Sequence, residues 1–325
     1  MILEIENLNL NFNNENKVVH ALKSINLTLK KGQTIGIAGE SGCGKTLTSL
    51  ALMNLLPNNA SYSADKLHFN DKDLLKISKQ ERHSICGIDI SMIFQDPMAS
   101  LNPALTIKTQ IEELLIRKEK LSKDEIKVKI IELLTLVGIT SPEKRLNSYP
   151  YELSGGMCQR VMIAMAISCN PKVLIADEPT TGLDVTIQAQ ILALLKSLQQ
   201  KLNLSIIFIS HDLSVLSNFC DEIYVMYAGT IVEKNKAKEL INHPIHPYTK
   251  GLLACIPNKN SGIDLPSIPG IVPDLGENLI GCRFMNRCPY KKDSCIEFSS
   301  VQQTSNSKYF NCDLSEAELK VNKWI

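Results

Sequence analysis

Thr34-Ile-Gly-Ile-Ala-Gly39-Glu-Ser-Gly-Cys-Gly-Lys45-Thr46 is the stretch on which the fold turns. Residues 34–38 alternate as a strand does, and Lys45 to Leu56 has the apolar spacing of a helix. Between them, Gly39, Glu40, Ser41, Gly42, Cys43, Gly44, Lys45 and Thr46 fit the pattern G-x-x-x-x-G-K-[ST]. Such a string arises by chance in about one chain of this length in a hundred. Its glycines let backbone N–H groups face inward around a phosphate, and the helix N-terminus adds partial positive charge. Lys45 is then expected to reach β- and γ-phosphates, and the Thr46 hydroxyl to ligate Mg²⁺. Cys43, beside Lys45 and the helix start, is expected to have a lowered thiol pKa.

Outward from this loop, alternation in Leu3-Glu-Ile-Glu and Ile25-Asn-Leu-Thr-Leu29 predicts antiparallel strands ahead of it. Further strands are expected at 89–94, 172–177, 204–210 and 222–227, and helices over 106–137, 154–168 and 184–201. The charged positions Glu112, Glu113, Arg117, Lys118, Glu119 and Lys120 read as a solvated helix face. Strands alternating with helices imply an α/β fold. Its mainly parallel sheet would be covered on both faces, with an N-terminal antiparallel β-subdomain and a helical insertion at about 97–170. Near His243-Pro-Ile-His-Pro247 the pattern breaks. Pro257, Pro266, Pro269, Gly270, Pro273 and Gly276 follow, then four cysteines. An irregular extension over 243–325 is therefore expected behind a core domain of 1–242.

Composition narrows the classes. Thirty-five basic against thirty-four acidic residues give a formal charge of +1, which leaves no electrostatic footprint for nucleic acid. No apolar run approaches the roughly 18 residues a membrane span needs, and the start lacks the build of a signal peptide. The expectation is a cytoplasmic protein. Its ten cysteines then argue for thiols or metal ligands and against disulfides.

Two more segments carry chemistry. Val173-Leu-Ile-Ala-Asp177-Glu178 ends an apolar strand on paired carboxylates. Asp177 is placed to hold Mg²⁺, directly or through water, and Glu178 to polarise the water that attacks a γ-phosphate. Leu153-Ser-Gly-Gly-Met157 opens a helix: Ser154 is a good N-cap, and Gly155 and Gly156 leave backbone N–H groups open to an anion. One nucleotide has little use for two γ-phosphate sites from one chain, so this loop is expected to cap a nucleotide held by a partner.

Together these residues resemble the nucleotide-binding subunit of an ATP-binding cassette (ABC) transporter. Gly39–Thr46 is similar to its Walker A motif, Gln95 to the Q-loop, Leu153–Met157 to the signature, and Asp177 with Glu178 to Walker B. Gly182-Leu-Asp184 is similar to the D-loop and His211 to the switch histidine. The resemblance covers roughly residues 1–240. It implies catalytic roles for Glu178, His211 and Gln95, a further Mg²⁺ ligand in Gln95, a contact from Asp184, and an adenine-stacking role for Phe12. Phe94-Gln-Asp-Pro-Met-Ala-Ser-Leu-Asn-Pro103, His246-Pro-Tyr-Thr249 and Pro266-Ser-Ile-Pro-Gly270 resemble the dipeptide, oligopeptide and nickel group of importers. Met157 is similar to the "D" member of that group's ATPase pair. The implied partners are a homologous second ATPase, two transmembrane permeases and an extracellular substrate-binding protein. The chain would then sit peripherally at the cytoplasmic face of the membrane and touch it through the permeases alone. Peptide is the expected cargo, with nickel or a metal chelate as the alternative. A soluble cassette protein outside transport is a further alternative, disfavoured by the single motif set and the lack of heptads.

Cys282, Cys288, Cys295 and Cys312 are spaced C-x5-C-x6-C-x16-C, without the paired C-x2-C of common zinc sites. Spacing favours a four-thiolate metal site, its metal undecided, over four unrelated thiols. The resemblance implies a [4Fe–4S] cluster, with Zn²⁺ as the alternative. The phosphate loop is expected to bind ATP independently of this tail.

Overall fold

The computed structural model describes residues 1–14, 17–118, 120–256, 267–275, 279–297, 303–305 and 308–321. Glu119, Pro257, Pro266 and Gly276 lie outside them. The chain forms two compact units, one of residues 1–29, 34–76 and 208–325, the other of residues 30–33 and 77–207.

In the first unit the strand Thr34–Ala38 is buried at every position, the mark of a strand covered on both faces. It pairs in parallel with Glu222–Tyr227, Ile35 opposite Glu222 and Ala38 opposite Val225. Glu222–Tyr227 pairs antiparallel with Thr230–Lys236, which in turn pairs with Lys308–Phe310. A second sheet joins Leu3–Asn14 to Lys17–Leu29, antiparallel as expected, with Leu3 opposite Leu29 and Ile5 opposite Leu27. Ala60–Ser63 and Lys66–Phe69 pair along the other side of Leu3–Asn14. The helix Lys45–Met53 follows the phosphate loop.

The tail is more ordered than its proline and glycine content suggests. It contains the helices Pro247–Ala254 and Glu316–Val321 and the strands Gln303–Ser305 and Lys308–Phe310. Three-residue strands offer too few positions for alternation to show. Their order comes from pairing: Lys308–Phe310 joins the edge of Thr230–Lys236, and Gln303–Ser305 pairs with Lys308–Phe310. Ile245, Phe310, Cys312, Leu314 and Leu319 form a small apolar core there, with Tyr290 packed against it. The fully buried Glu233 accepts the N–H groups of Ile245 and His246, both at 2.9 Å, and so anchors the approach to the Pro247 helix. Burial pushes the Glu233 carboxyl up to about 7 and the His246 ring down to about 3.

In the second unit Ile90–Ile93 and Val173–Asp177 run parallel, Ile90 opposite Val173. The periodic stretch 106–137 is two helices, Ile107–Lys118 and Lys123–Leu136. Ser122 ends the run. Its hydroxyl accepts the Glu125 N–H, and the Glu125 carboxylate accepts the Ser122 N–H at 2.8 Å, a capping box that starts a new helix. Gly155–Ile167 and Val185–Leu202 follow as predicted. The strand Ser205–Ser210 begins in this unit and ends in the first. Among the described residues no helix is long and apolar enough to cross a membrane.

Candidate functional site

The phosphate loop is built around close backbone approach. Gly39 has φ 152°, and a Cβ there would lie 2.2 Å from the Met226 carbonyl oxygen. Only glycine fits. Lys45, 5% exposed, turns its ammonium back into the loop and donates to the carbonyls of Gly39 at 2.8 Å and Glu40 at 3.0 Å. Such charge-assisted bonds fix the ammonium inside the loop. Ser41, Gly42 and Thr46 are exposed.

Cys43 differs from expectation. It is fully buried, and that burial raises its thiol pKa, outweighing the Lys45 ammonium that lowers it. Desolvation disfavours a thiolate more strongly here than the neighbouring charge favours it.

Glu40 has two partners that sequence reasoning did not find. Its carboxylate accepts both arms of the Arg287 guanidinium, at 2.7 and 3.1 Å, and its N–H donates to the Tyr248 hydroxyl at 2.9 Å. Arg287 is 247 positions away and has no local signal. Tyr248 lies in a motif that marks the family rather than the site.

Phe12 is half-buried on its strand, opposite Val19 on one side and Ala60 on the other. His211 is exposed immediately after Ser205–Ser210. The next residue, Asp212, caps the helix Leu213–Phe219 through the N–H groups of Ser214 and Val215.

The second unit carries the carboxylates. Asp177, 2% exposed, ends the Val173 strand. Glu178 has φ 46°, a left-handed conformation costly for a residue with a side chain. Its carboxylate accepts from the Thr181 hydroxyl at 2.8 Å and the Gln95 amide at 3.4 Å. The fold thus brings Gln95 and Glu178 together across 83 residues.

The two helix starts also meet. Ser154 accepts the Met157 N–H at 3.4 Å, and Asp184 accepts those of Thr186 and Ile187 at 3.0 Å. A Cβ on Gly156 would press to 3.2 Å from the Ile187 side chain, so the glycine lets the two helix starts pack. Gly155 is exposed, as are Val185 at 82% and Tyr151 at 65%.

The tail cysteines converge. Cys282 donates its N–H to the Cys295 carbonyl at 2.9 Å. Gly281, at φ 74°, permits this, since a Cβ there would lie 2.4 Å from that same oxygen. Burial pushes the thiols of Cys282, Cys288 and Cys312 up to about 11, and every pair among the four cysteines is close enough to interact electrostatically. All four are unbridged. Among the described residues, however, no three His, Cys, Asp or Glu side chains are arranged as a ready site for a metal ion.

The comparisons with known proteins agree with the loops. Residues 22–181 match the family described as ABC transporter. Residues 232–295 match the oligopeptide/dipeptide transporter C-terminal region. The dipeptide transport ATP-binding protein DppD of Bacillus subtilis strain 168 is 45% identical over 318 residues, covering 97% of this chain and 95% of that one. The oligopeptide transport ATP-binding protein OppD of the same organism is 50% identical, covering 89% and 82%. A bacterial ABC transporter cassette solved as a dimer superposes with a TM-score of 0.64 at 27% identity, over 72% of this chain and 98% of that one. With likeness of this extent along both the cassette and its cysteine-bearing tail, the chain belongs to the ATP-binding proteins of dipeptide and oligopeptide ABC transporters.

Proposed function

We propose that this chain binds and hydrolyses MgATP to power the uptake of dipeptides or oligopeptides, as one ATPase subunit of an importer. The observation that carries the reading is the Glu178 carboxylate, held by Thr181 and Gln95 directly after a buried aspartate. That is the geometry of a base that positions a water rather than of a strand end that merely turns. Phe12 stacks on the adenine, and Gly39 to Thr46 hold the phosphates. Thr46, Gln95 and Asp177 would hold Mg²⁺, which offsets phosphate charge when bound; a carboxylate as buried as Asp177 suits a cation. Glu178 takes the proton of the attacking water, and His211 contacts the γ-phosphate.

Ser154, Gly155, Gly156 and Asp184 serve the nucleotide of a second, homologous cassette. The exposure of Ser154, Gly155 and Asp184 beside the apolar Val185 and Tyr151 supports a partner surface. The remaining partners are two permeases and an extracellular substrate-binding protein. Phe94 and Met98, exposed on either side of Asp96, offer apolar surface to a permease. The chain works peripherally at the cytoplasmic face of the membrane. Residues 1–242 form the ATPase domain, with the helical part at about 97–170, and 243–325 the extension; the match of 22–181 to the cassette and of 232–295 to the C-terminal region supports a cassette followed by such an extension.

The purified chain alone should hydrolyse ATP slowly, and addition of its homologous cassette and the two permeases should raise the rate. Full activity from a strictly monomeric sample would contradict the shared site.

Four thiols, buried at Cys295 and Cys312 and half-buried at Cys282 and Cys288, are the donor type a soft metal group takes, although they are not arranged as a ready site, and Pro289 after Cys288 favours iron–sulfur. Cys282, Cys288, Cys295 and Cys312 would hold a [4Fe–4S] cluster, which would cross-link the segment that carries them. Anaerobically purified protein should contain about four irons per chain. Stoichiometric zinc without iron would replace the cluster by Zn²⁺, and no metal at all would leave four ordinary thiols.

A further inference from the structure

Arg287 stands one residue before Cys288 and reaches out of the cysteine segment to the phosphate loop. It is 6% exposed and makes a two-armed ion pair with Glu40. Its remaining donors go to the carbonyls of Pro269 at 2.8 Å and Ile268 at 3.4 Å. The guanidinium also lies 5.8 Å from the centre of the Tyr227 ring. Tyr227, Tyr248 and Phe284 pack as a knot of rings 4.6 to 5.4 Å apart, and it is the Tyr248 hydroxyl that accepts the Glu40 N–H. On its other side Glu40 gives its carbonyl to Lys45. The residue gripped from the tail by Arg287 and Tyr248 is therefore the one that seats the phosphate-binding lysine.

We propose that Arg287 is a positioning residue for the phosphate loop, so that the cysteine-bearing segment sets ATP affinity through the Arg287–Glu40 pair. This rests on Gly39–Thr46 being the ATP site, and it replaces the expectation that the loop acts independently of the tail. A planar, two-armed pair fixes orientation in a way a single lysine contact does not. Loss of the Glu40 charge leaves the buried Arg287 guanidinium uncompensated, and loss of the two-armed grip leaves the half-exposed Glu40 carboxylate free to swing out and carry the loop with it.

The test is equilibrium binding of a fluorescent ATP analogue to the full-length chain as wild type, Arg287→Lys, Glu40→Gln and the double variant, with thermal unfolding recorded alongside. Each single change should weaken binding by about tenfold, an ordinary size for coupling between sites. The double variant should be no weaker than the singles, because each removes the same link. Alkylation of the buried Cys43 should also speed up in the singles, reporting a loosened loop. Unchanged affinity in the singles, additive losses in the double, or losses that merely track a lower unfolding temperature would overturn the proposal. A wild-type chain that does not bind the analogue would instead remove the ATP-site reading on which the proposal rests. Arg287→Lys and Glu40→Gln preserve size, so misfolding of one leaves the other to decide.

Discussion

Glu178→Gln should bind ATP as the wild type does and turn it over about 10²–10⁴-fold more slowly, the usual contribution of a positioned general base. The substitution is nearly isosteric. The glutamine oxygen can still accept from Thr181, and the left-handed backbone at φ 46° costs a glutamine what it costs a glutamate. What disappears is a carboxylate able to take a proton from water. Because binding survives while chemistry stops, the variant should accumulate ATP-bound protein and shift nucleotide-dependent association towards the closed pair of cassettes. A steady-state ATPase assay on the assembled transporter, with ATP affinity measured separately, checks both halves. Normal turnover would remove the role given to Glu178.

Lys45→Ala should act on the other side of that division. The ammonium turns back into the loop, held by two loop carbonyls at 2.8 and 3.0 Å. Its loss removes a charged partner for the β- and γ-phosphates and leaves those carbonyls without their donor. Charged hydrogen bonds contribute about 1.5–3 kcal/mol each, so affinity should fall by roughly ten- to a hundredfold. Equilibrium nucleotide binding reads this directly, and hydrolysis should fall with it at subsaturating ATP. Unchanged affinity would mean that the lysine bonds the loop and not the nucleotide.

Why these residues were legible in the sequence and others were not has a physical reason. The phosphate loop, Asp177-Glu178 and the Ser154 helix start are contiguous motifs, each flanked by a clean period-two or helical pattern that places it on a strand end or helix start. Distance hides the rest. Nothing near Glu40 announces Arg287, and nothing near Gln95 announces its contact with Glu178; family likeness implied a role for each of these two but not their contact. Cys43 shows the opposite failure. The neighbouring ammonium is visible in the sequence but the complete burial is not, and burial decides the direction of its pKa. At Ser122 the capping pattern S-x-x-E was present in the letters, yet the apolar spacing continues across it, so two helices looked like one. The tail strands are ordered by an edge they join, which no three-residue pattern records.

The most direct measurement of the central claim is peptide accumulation in sealed vesicles bearing the reconstituted assembly: this chain, its homologous cassette, the two permeases and the substrate-binding protein. Labelled dipeptide or oligopeptide should accumulate against its gradient only with MgATP, and the Glu178→Gln assembly should not accumulate it. Vesicles in which the wild-type assembly hydrolyses ATP while neither peptide accumulates would contradict the account.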